Sequence, residues 1–261
     1  MSMYEITPLV LGRYSYYEMS WLLFNKGCGE KTESLVMGFL IRGGGKNILV
    51  DTGCGENAAE SHSGIEKTEE MDLLVHLEKL GILPDDIDAI VHTHLHWDCC
   101  GGDQLFPQAP IYVQRREVQY AIQPLPCQYE EYETPHAGFS YPWLRSMDRF
   151  VLSDGEQELY PGLRLLPLPG HSPGFQGIVV ETAKGRCVVA GDSVPLYQNW
   201  TGLKNGDHIP SAIHVNTIRC LESFARIAQE GQLLLAGRDP RAAEGICVEI
   251  DGRGGESYVK L

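Results

Sequence analysis

The sequence predicts an α/β fold made of two sheet-and-helix halves packed face to face. Three observations predict it: two separate runs of short apolar segments of strand length, helical patterns closing each run, and turn residues between them. The chain has 261 residues, enough for one large α/β domain or two small ones. No low-complexity linker or internal repeat divides it, so residues 1–261 read as a single domain. A 43% hydrophobic and 9% aromatic content suits a sizeable core.

Each element has its own signal. Residues 35–42 and 47–51 are β-rich runs joined by Gly43, Gly44, Gly45 and Lys46, which reads as a hairpin. Residues 71–80 place Leu73, Leu74, Leu77 and Leu80 at helical spacing, and Gly81 ends the helix. Short strands follow at 87–91 and 109–113, then a polar helix over about 115–122. Residues 123–147 interleave Pro124, Pro126, Pro135 and Pro142 with Tyr129, Tyr132, Phe139, Tyr141 and Trp143. That texture suits a packed surface connection, a substrate-facing lid or a homodimer contact. Strand signals return at 164–168, 177–181 and 186–190. Residues 215–228 form an amphipathic helix with Ile218, Leu221, Phe224, Ala225 and Ala228 on one face. Residues 232–236 read as the final buried strand.

The charge balance is acidic, 21 Lys+Arg against 35 Asp+Glu for a formal −14. Such a field repels phosphate backbones and anionic membranes, which argues against nucleic-acid and membrane partners and for a small-molecule ligand. Residues 1–13 lack the apolar core of a signal peptide, and no apolar run approaches bilayer length, so a cytoplasmic location is expected. The eight cysteines are scattered, so reduced thiols are expected.

The chemistry concentrates in His92-Thr93-His94-Leu95-His96-Trp97-Asp98-Cys99-Cys100-Gly101-Gly102, which leaves a strand and enters a glycine turn. In an extended segment, His94 and His96 point to one side and suit a shared cation, and Asp98 continues the alternation. Taken alone, such a pair is better explained by a solvated or satisfied polar turn. It is not alone: Pro169-Gly170-His171-Ser172-Pro173-Gly174 and Gly191-Asp192 also end apolar strands on metal-type side chains.

Together with Asp51-Thr52-Gly53, these pieces resemble the metallo-β-lactamase superfamily. The resemblance implies a four-layer αββα sandwich with metals at one edge of the two sheets. It implies that His94, His96 and His171 hold a first metal, Asp98 belongs to a second, and Asp192 bridges. Within the superfamily the chain looks most like the N-acyl-homoserine-lactone lactonase and 4-pyridoxolactonase branch. The features behind this are its length, Asp192-Ser193-Val194-Pro195-Leu196-Tyr197 followed by Asn199, and Ala212-Ile213-His214-Val215.

Two positions depart from the dinuclear pattern of that superfamily. Cys99 follows Asp98 where a histidine is usual, and Arg238 occupies the Gly237-Arg238-Asp239-Pro240 turn where the last histidine is usual. Cys99 could ligate as a thiolate, whereas a guanidinium cannot ligate. A fixed positive charge beside a second cation costs several kcal/mol by Coulomb estimates at about 4–6 Å. One metal per chain, or a strongly weakened second site, is therefore expected, with Arg238 pairing with Asp98 or with a substrate oxyanion. The alternative turns Arg238 outward and binds a second metal through Asp98, Cys99 and Asp192. His92 suits a supporting role and His214 either a structural or a site role, while His62, His76, His136 and His208 show no constellation.

The expected activity is metal-dependent hydrolysis, with metal-bound hydroxide attacking the carbonyl of a small lactone or ester. Zinc suits the ligand set best, and iron or manganese would also fit. Asp98 would orient the water or shuttle a proton, and Arg238 or Tyr197 would stabilise the oxyanion. Two other readings stand beside it: a mononuclear iron enzyme like the persulfide dioxygenases of this fold, and a repurposed ligand-binding member with weak or no hydrolysis.

Overall fold

The computed structural model describes residues 3–56, 58–202, 207–250 and 257–261. Among them, thirteen strands form two sheets. The first holds β1 (Glu5–Glu18), β2 (Lys31–Gly43), β3 (Lys46–Val50), β4 (Ala89–Val91), β5 (Ile111–Gln114) and β6 (Phe150–Ser153), in chain order. The second holds β7 (Gln157–Tyr160), β8 (Leu163–Pro167), β9 (Gln176–Thr182), β10 (Gly185–Gly191), β11 (Leu233–Ala236), β12 (Ile246–Glu249) and β13 (Tyr258–Lys260). The helical segments are α1 (Ala58–Ser61), α2 (Leu73–Lys79), α3 (Trp97–Cys100), α4 (Arg115–Ile122), α5 (Tyr197–Thr201), α6 (Thr217–Glu230) and α7 (Pro240–Ala243).

Strand alternation explains the layers. On β2, Leu35, Met37, Phe39 and Ile41 pack in one core with Leu165, Ile178 and Val180 of the second sheet. The intervening Val36 and Leu40 pack on Leu73 and Leu77 of α2. On β3, Ile48 and Val50 face inward and Leu49 outward. A slip of one residue would exchange the two faces, so burial on both sides fixes the register. The expected hairpin is present: Gly43 pairs with Lys46, and Gly44 and Gly45 take φ 58° and 73°, a turn open to glycine. On the far side, α6 seats Phe224 and Ile227 on the second sheet, each contributing roughly 1.5–3 kcal/mol by burial. The result is the four-layer αββα sandwich.

Several elements differ from expectation for identifiable reasons. The helix expected over 71–80 begins only at Leu73, because the Asp72 carboxylate accepts from Leu74 and Val75 N–H at 2.8 and 3.3 Å and caps it there. On α6, Ile218 and Leu221 are exposed, and Cys220, Ser223, Phe224 and Ile227 form the buried face. The strand over 232–236 is not the last, since β12 and β13 continue the sheet beyond it. Residues 123–147 form short 3-10 turns anchored by the buried Tyr132 and Trp143. Among the described residues, no helix is long and apolar enough to cross a membrane.

The topology gathers the chemistry at one edge. β4 runs into His94 and His96, β8 leads to His171, and β10 ends in the turn bearing Asp192. β10 and β11 are parallel neighbours, with Gly191 beside Ala236. Asp192 and Arg238 therefore leave the sheet side by side.

Candidate metal centre

Three ring nitrogens converge here: His171 Nε2 lies 3.2 Å from His94 Nε2 and 3.3 Å from His96 Nδ1. The opposite nitrogens show which protons are placed. His171 Nδ1 donates to the Ile213 carbonyl at 2.7 Å. His94 Nδ1 donates to Thr93 Oγ1 at 2.9 Å, and that hydroxyl donates to Asp51 at 2.7 Å. The converging nitrogens of His94 and His171 thus carry lone pairs, the tautomers that metal binding requires. Burial is the main reason all three imidazoles are less basic than usual, which keeps them neutral. Lone pairs aimed at one another inside a protein repel unless a cation lies between them. A tetrahedral ion with bonds of about 2.0–2.1 Å needs donors roughly 3.3–3.4 Å apart, so the residues fit a zinc ion.

Asp192 faces the same point, 3.7 Å from His171 Nε2 and 3.9 Å from His94 Nε2. Arg238 turns inward against it. Its Nε donates to the two Asp192 oxygens at 2.8 and 2.9 Å, and its Nη2 donates to Asp192 at 2.5 Å and to Asp98 at 2.6 Å. Burial alone would raise the Asp192 carboxyl, but Arg238 and His171 outweigh it and hold it below the usual carboxylate range. The outward arrangement of Arg238 is therefore not the one adopted. The backbone enforces this: Arg238 N–H donates to Pro195, its carbonyl accepts from Leu35, and a Cβ on Gly237 would meet Gly191 at 2.4 Å.

Cys99 is buried, with Sγ 3.8 Å from Asp98 Oδ1, and His94, Asp98 and Cys99 place ligand-type atoms within 4.8 Å of one another. Burial and then the carboxylates of Asp51 and Asp98 push its thiol well above the ordinary range.

Beside these residues lies a cavity of about 540 Å³. Tyr14, Tyr17 and Trp21 line one wall, and Tyr17 meets Trp21 edge-on at 5.3 Å. The lining also includes a stack in which His62 lies parallel to Trp97 at 3.7 Å and to Phe139 at 5.4 Å. His96, Asp98, His171, Asp192 and Arg238 form the floor. Residues 123–147 contribute Glu130, Glu131, Ala137 and Phe139.

Residues 33–235 match the family described as the metallo-beta-lactamase superfamily. The chain belongs to that superfamily. It is 34% identical over 212 residues to the N-acyl homoserine lactonase AiiA of Bacillus thuringiensis subsp. kurstaki, covering 74% of this chain and 76% of the relative. It is 28% identical over 234 residues to the N-acyl homoserine lactonase AttM of Azorhizobium caulinodans, covering 84% and 87%. Among solved structures, it matches an N-acyl homoserine lactone hydrolase with the product N-hexanoyl-L-homoserine bound at its catalytic metal centre. That match has a TM-score of 0.77 and 26% identity, over 92% of this chain and 95% of the other. The superfamily, its fold and the lactonase branch all agree with the motifs.

One buried carboxylate holds the histidine loops together. Glu117 on α4 is fully buried and accepts from Leu95 N at 3.1 Å, Tyr132 Oη at 2.8 Å, Ser172 Oγ at 2.6 Å and Gly174 N at 3.2 Å. One carboxylate thus ties the His94–His96 loop of the first sheet to the His171 loop of the second. His92 has the supporting role expected of it, with Nε2 2.9 Å from Asp103 and Nδ1 3.4 Å from Asp51. Burial opposes its charge, but the two carboxylates prevail and bring its pKa to about 9.

Tyr197 is a correction. It is fully buried, its hydroxyl donates to the Ile246 carbonyl on β12, and it does not line the cavity, so it cannot reach a substrate oxyanion. The tyrosines among the residues that line the cavity are Tyr14 and Tyr17, whose clustering near the N-terminus was the available signal. His214 is structural: it bonds Ser211 O at 2.7 Å and Thr217 Oγ1 at 2.8 Å. His62 does have a constellation, built from residues distant in sequence.

Proposed function

We propose that this protein hydrolyses a small lactone or ester at a one-metal centre, in which Arg238 stands where a second cation would otherwise sit. The observation that carries the reading is the convergence of three neutral imidazoles beside two carboxylates already bridged by a guanidinium. His94, His96 and His171 would hold the metal with Asp192 as a further donor that leaves room for a water ligand, and zinc suits this donor set. A bound zinc ion supplies Lewis acidity and an activated water. Asp98, held by Arg238 at the cavity floor, receives a proton and passes it to the leaving alkoxide.

Tyr17 takes the part first assigned to Tyr197. Burial keeps its phenol protonated, so it can donate a hydrogen bond to the reacting carbonyl oxygen. The aromatic walls shield that oxygen from bulk water and offer apolar surface to the rest of the substrate. The lactonase relatives favour a lactone over other carbonyl substrates.

The test is metal content per chain on protein purified without chelator, together with ring-opening of N-acyl homoserine lactones followed by acid release. One zinc per chain and chelator-sensitive turnover are expected. Two metals per chain would overturn the one-metal reading. Iron with thiol-dependent oxygen uptake would replace hydrolysis by dioxygenation.

A further inference from the structure

His62 lines the cavity and takes no part in the mechanism. Its ring is set by its neighbours: Nε2 lies 2.9 Å from the Glu133 carboxylate, and the ring is parallel to Trp97 at 3.7 Å and to Phe139 at 5.4 Å. Glu133 reaches it from φ 45°, in the left-handed region that residues with a side chain rarely adopt, and such backbone strain gathers at binding sites. The carboxylate keeps a proton on Nε2, which leaves Nδ1 as the uncommitted polar atom of the ring. Among the described residues Nδ1 has no partner, and it is not closed to solvent.

Other polar side chains of this lining are equally uncommitted. Ser61, Ser63 and Glu130 are exposed, and their side chains bond no group among the described residues. An alkyl chain laid against these groups would strip water from them without replacing its hydrogen bonds. A hydroxyl suits all of them, because its single oxygen both donates and accepts: it can donate to Nδ1 or Glu130 and accept from either serine. The ring of His62 is held rigidly enough to make that bond selective, as a group that orients substrate requires.

We propose that His62, with Ser61 and Ser63, is a specificity-determining group that bonds hydroxyls carried on the carbon skeleton of the substrate. The inference rests on the lactonase reading. It adds that the preferred substrate is a polyhydroxylated lactone instead of one with a bare alkyl chain.

The experiment compares γ-caprolactone with L-gulono-1,4-lactone, which share a carbon skeleton and differ in hydroxyl groups alone. Both are given to metal-loaded wild type, His62→Phe and the double variant Ser61→Ala, Ser63→Ala. Calorimetric binding of the ring-opened acids, 4-hydroxyhexanoate and L-gulonate, is measured alongside. A site built to bond a hydroxyl rejects the analogue that lacks it, so wild type should favour gulonolactone by about tenfold or more. His62→Phe keeps a flat ring for the stack and removes both nitrogens. It should lose about tenfold more kcat/KM on gulonolactone than on γ-caprolactone, mainly through KM, and narrow the gap in acid binding likewise. The serine variant, which leaves Glu133 its partner, should shift both ratios in the same direction. Wild type that opens γ-caprolactone as well as gulonolactone, or ratios unchanged in both variants, would overturn the proposal while leaving lactone hydrolysis intact. If wild type opens neither lactone yet prefers gulonate and His62→Phe loses that preference, the lactonase reading fails and the hydroxyl site stands.

Discussion

Arg238 grips Asp192 through both Nε and Nη2 and reaches Asp98 with the same Nη2, so one guanidinium spans the two carboxylates that a second metal would need. Replacing it by a shorter neutral imidazole should release both. Arg238→His is expected to raise metal content from one to two ions per chain, measured by elemental analysis after saturation and desalting. Arg238→Ala strands two buried carboxylates and should destabilise the fold by about 3–5 kcal/mol. If Arg238→His still holds a single ion, Arg238 does not set the stoichiometry.

Removing one of the converging imidazoles should remove the metal. His96→Ala and His171→Ala are expected to lose metal and turnover together. For wild type, chelation should lower the Tm, since a ligand at a hundred times its Kd stabilises by about 2.7 kcal/mol. Restored Tm and activity on zinc addition would complete the test. Normal turnover by a metal-free preparation would contradict it.

Glu117 satisfies four donors from two sheets, and its loss should be felt in both. Glu117→Ala is expected to cost about 3 kcal/mol or more in denaturant unfolding, because Leu95 and Gly174 N–H are left buried without a partner. Metal affinity should fall as well, although Glu117 is not a ligand. Glu117→Gln should be milder.

Much of this was legible in the sequence. The clustering of His94, His96 and His171 follows from the motifs, and the inward pairing of Arg238 with Asp98 from the departure of Arg238 from the superfamily pattern. The hairpin at Gly44–Gly45 and the two-sheet plan follow from turn residues and strand period. Long-range side-chain contacts were not. Glu117 looks like an ordinary polar helix residue, because its four donors come from segments as far as 57 residues away. Tyr197 was misplaced because α5 begins at it, which turns its ring into the core toward Ile246. The face of α6 differs because Phe224 and Ile227 pack into the core against the second sheet, which leaves Ile218 and Leu221 exposed. β1 was missed altogether, its tyrosine-rich end being a cavity wall instead of an alternating core strand.

The exchange of Tyr197 for Tyr17 can be checked directly. Tyr197→Phe should cost about 1–2 kcal/mol in stability by leaving the Ile246 carbonyl unpaired, with kcat/KM little changed. Tyr17→Phe should lower kcat by roughly tenfold or more with little loss of stability. The reverse pattern would return the role to Tyr197.

A surface pair supplies a pH test away from the metal. Glu230 on α6 bonds Arg164 on β8 at 2.6 Å. Burial would raise its carboxyl, but Arg164 and Arg226 overcome this and lower it from the ordinary 4.5. Because the folded value is depressed, the contribution is complete above pH 4.5 and is lost as pH falls through the lowered native value. The Tm gap between wild type and Glu230→Gln should therefore be constant near neutrality and close in acid. A gap that widens in acid would reverse the sign.

The parallel pairing of β10 with β11 has an evolutionary consequence. Asp192 and the residue at 238 are delivered to the same place by the backbone, whatever side chain stands at 238. A metal ion and a guanidinium can then exchange as cationic staples at one coordinate without redrawing the scaffold. Under the one-metal reading, metal count would change with the side chain at 238 alone.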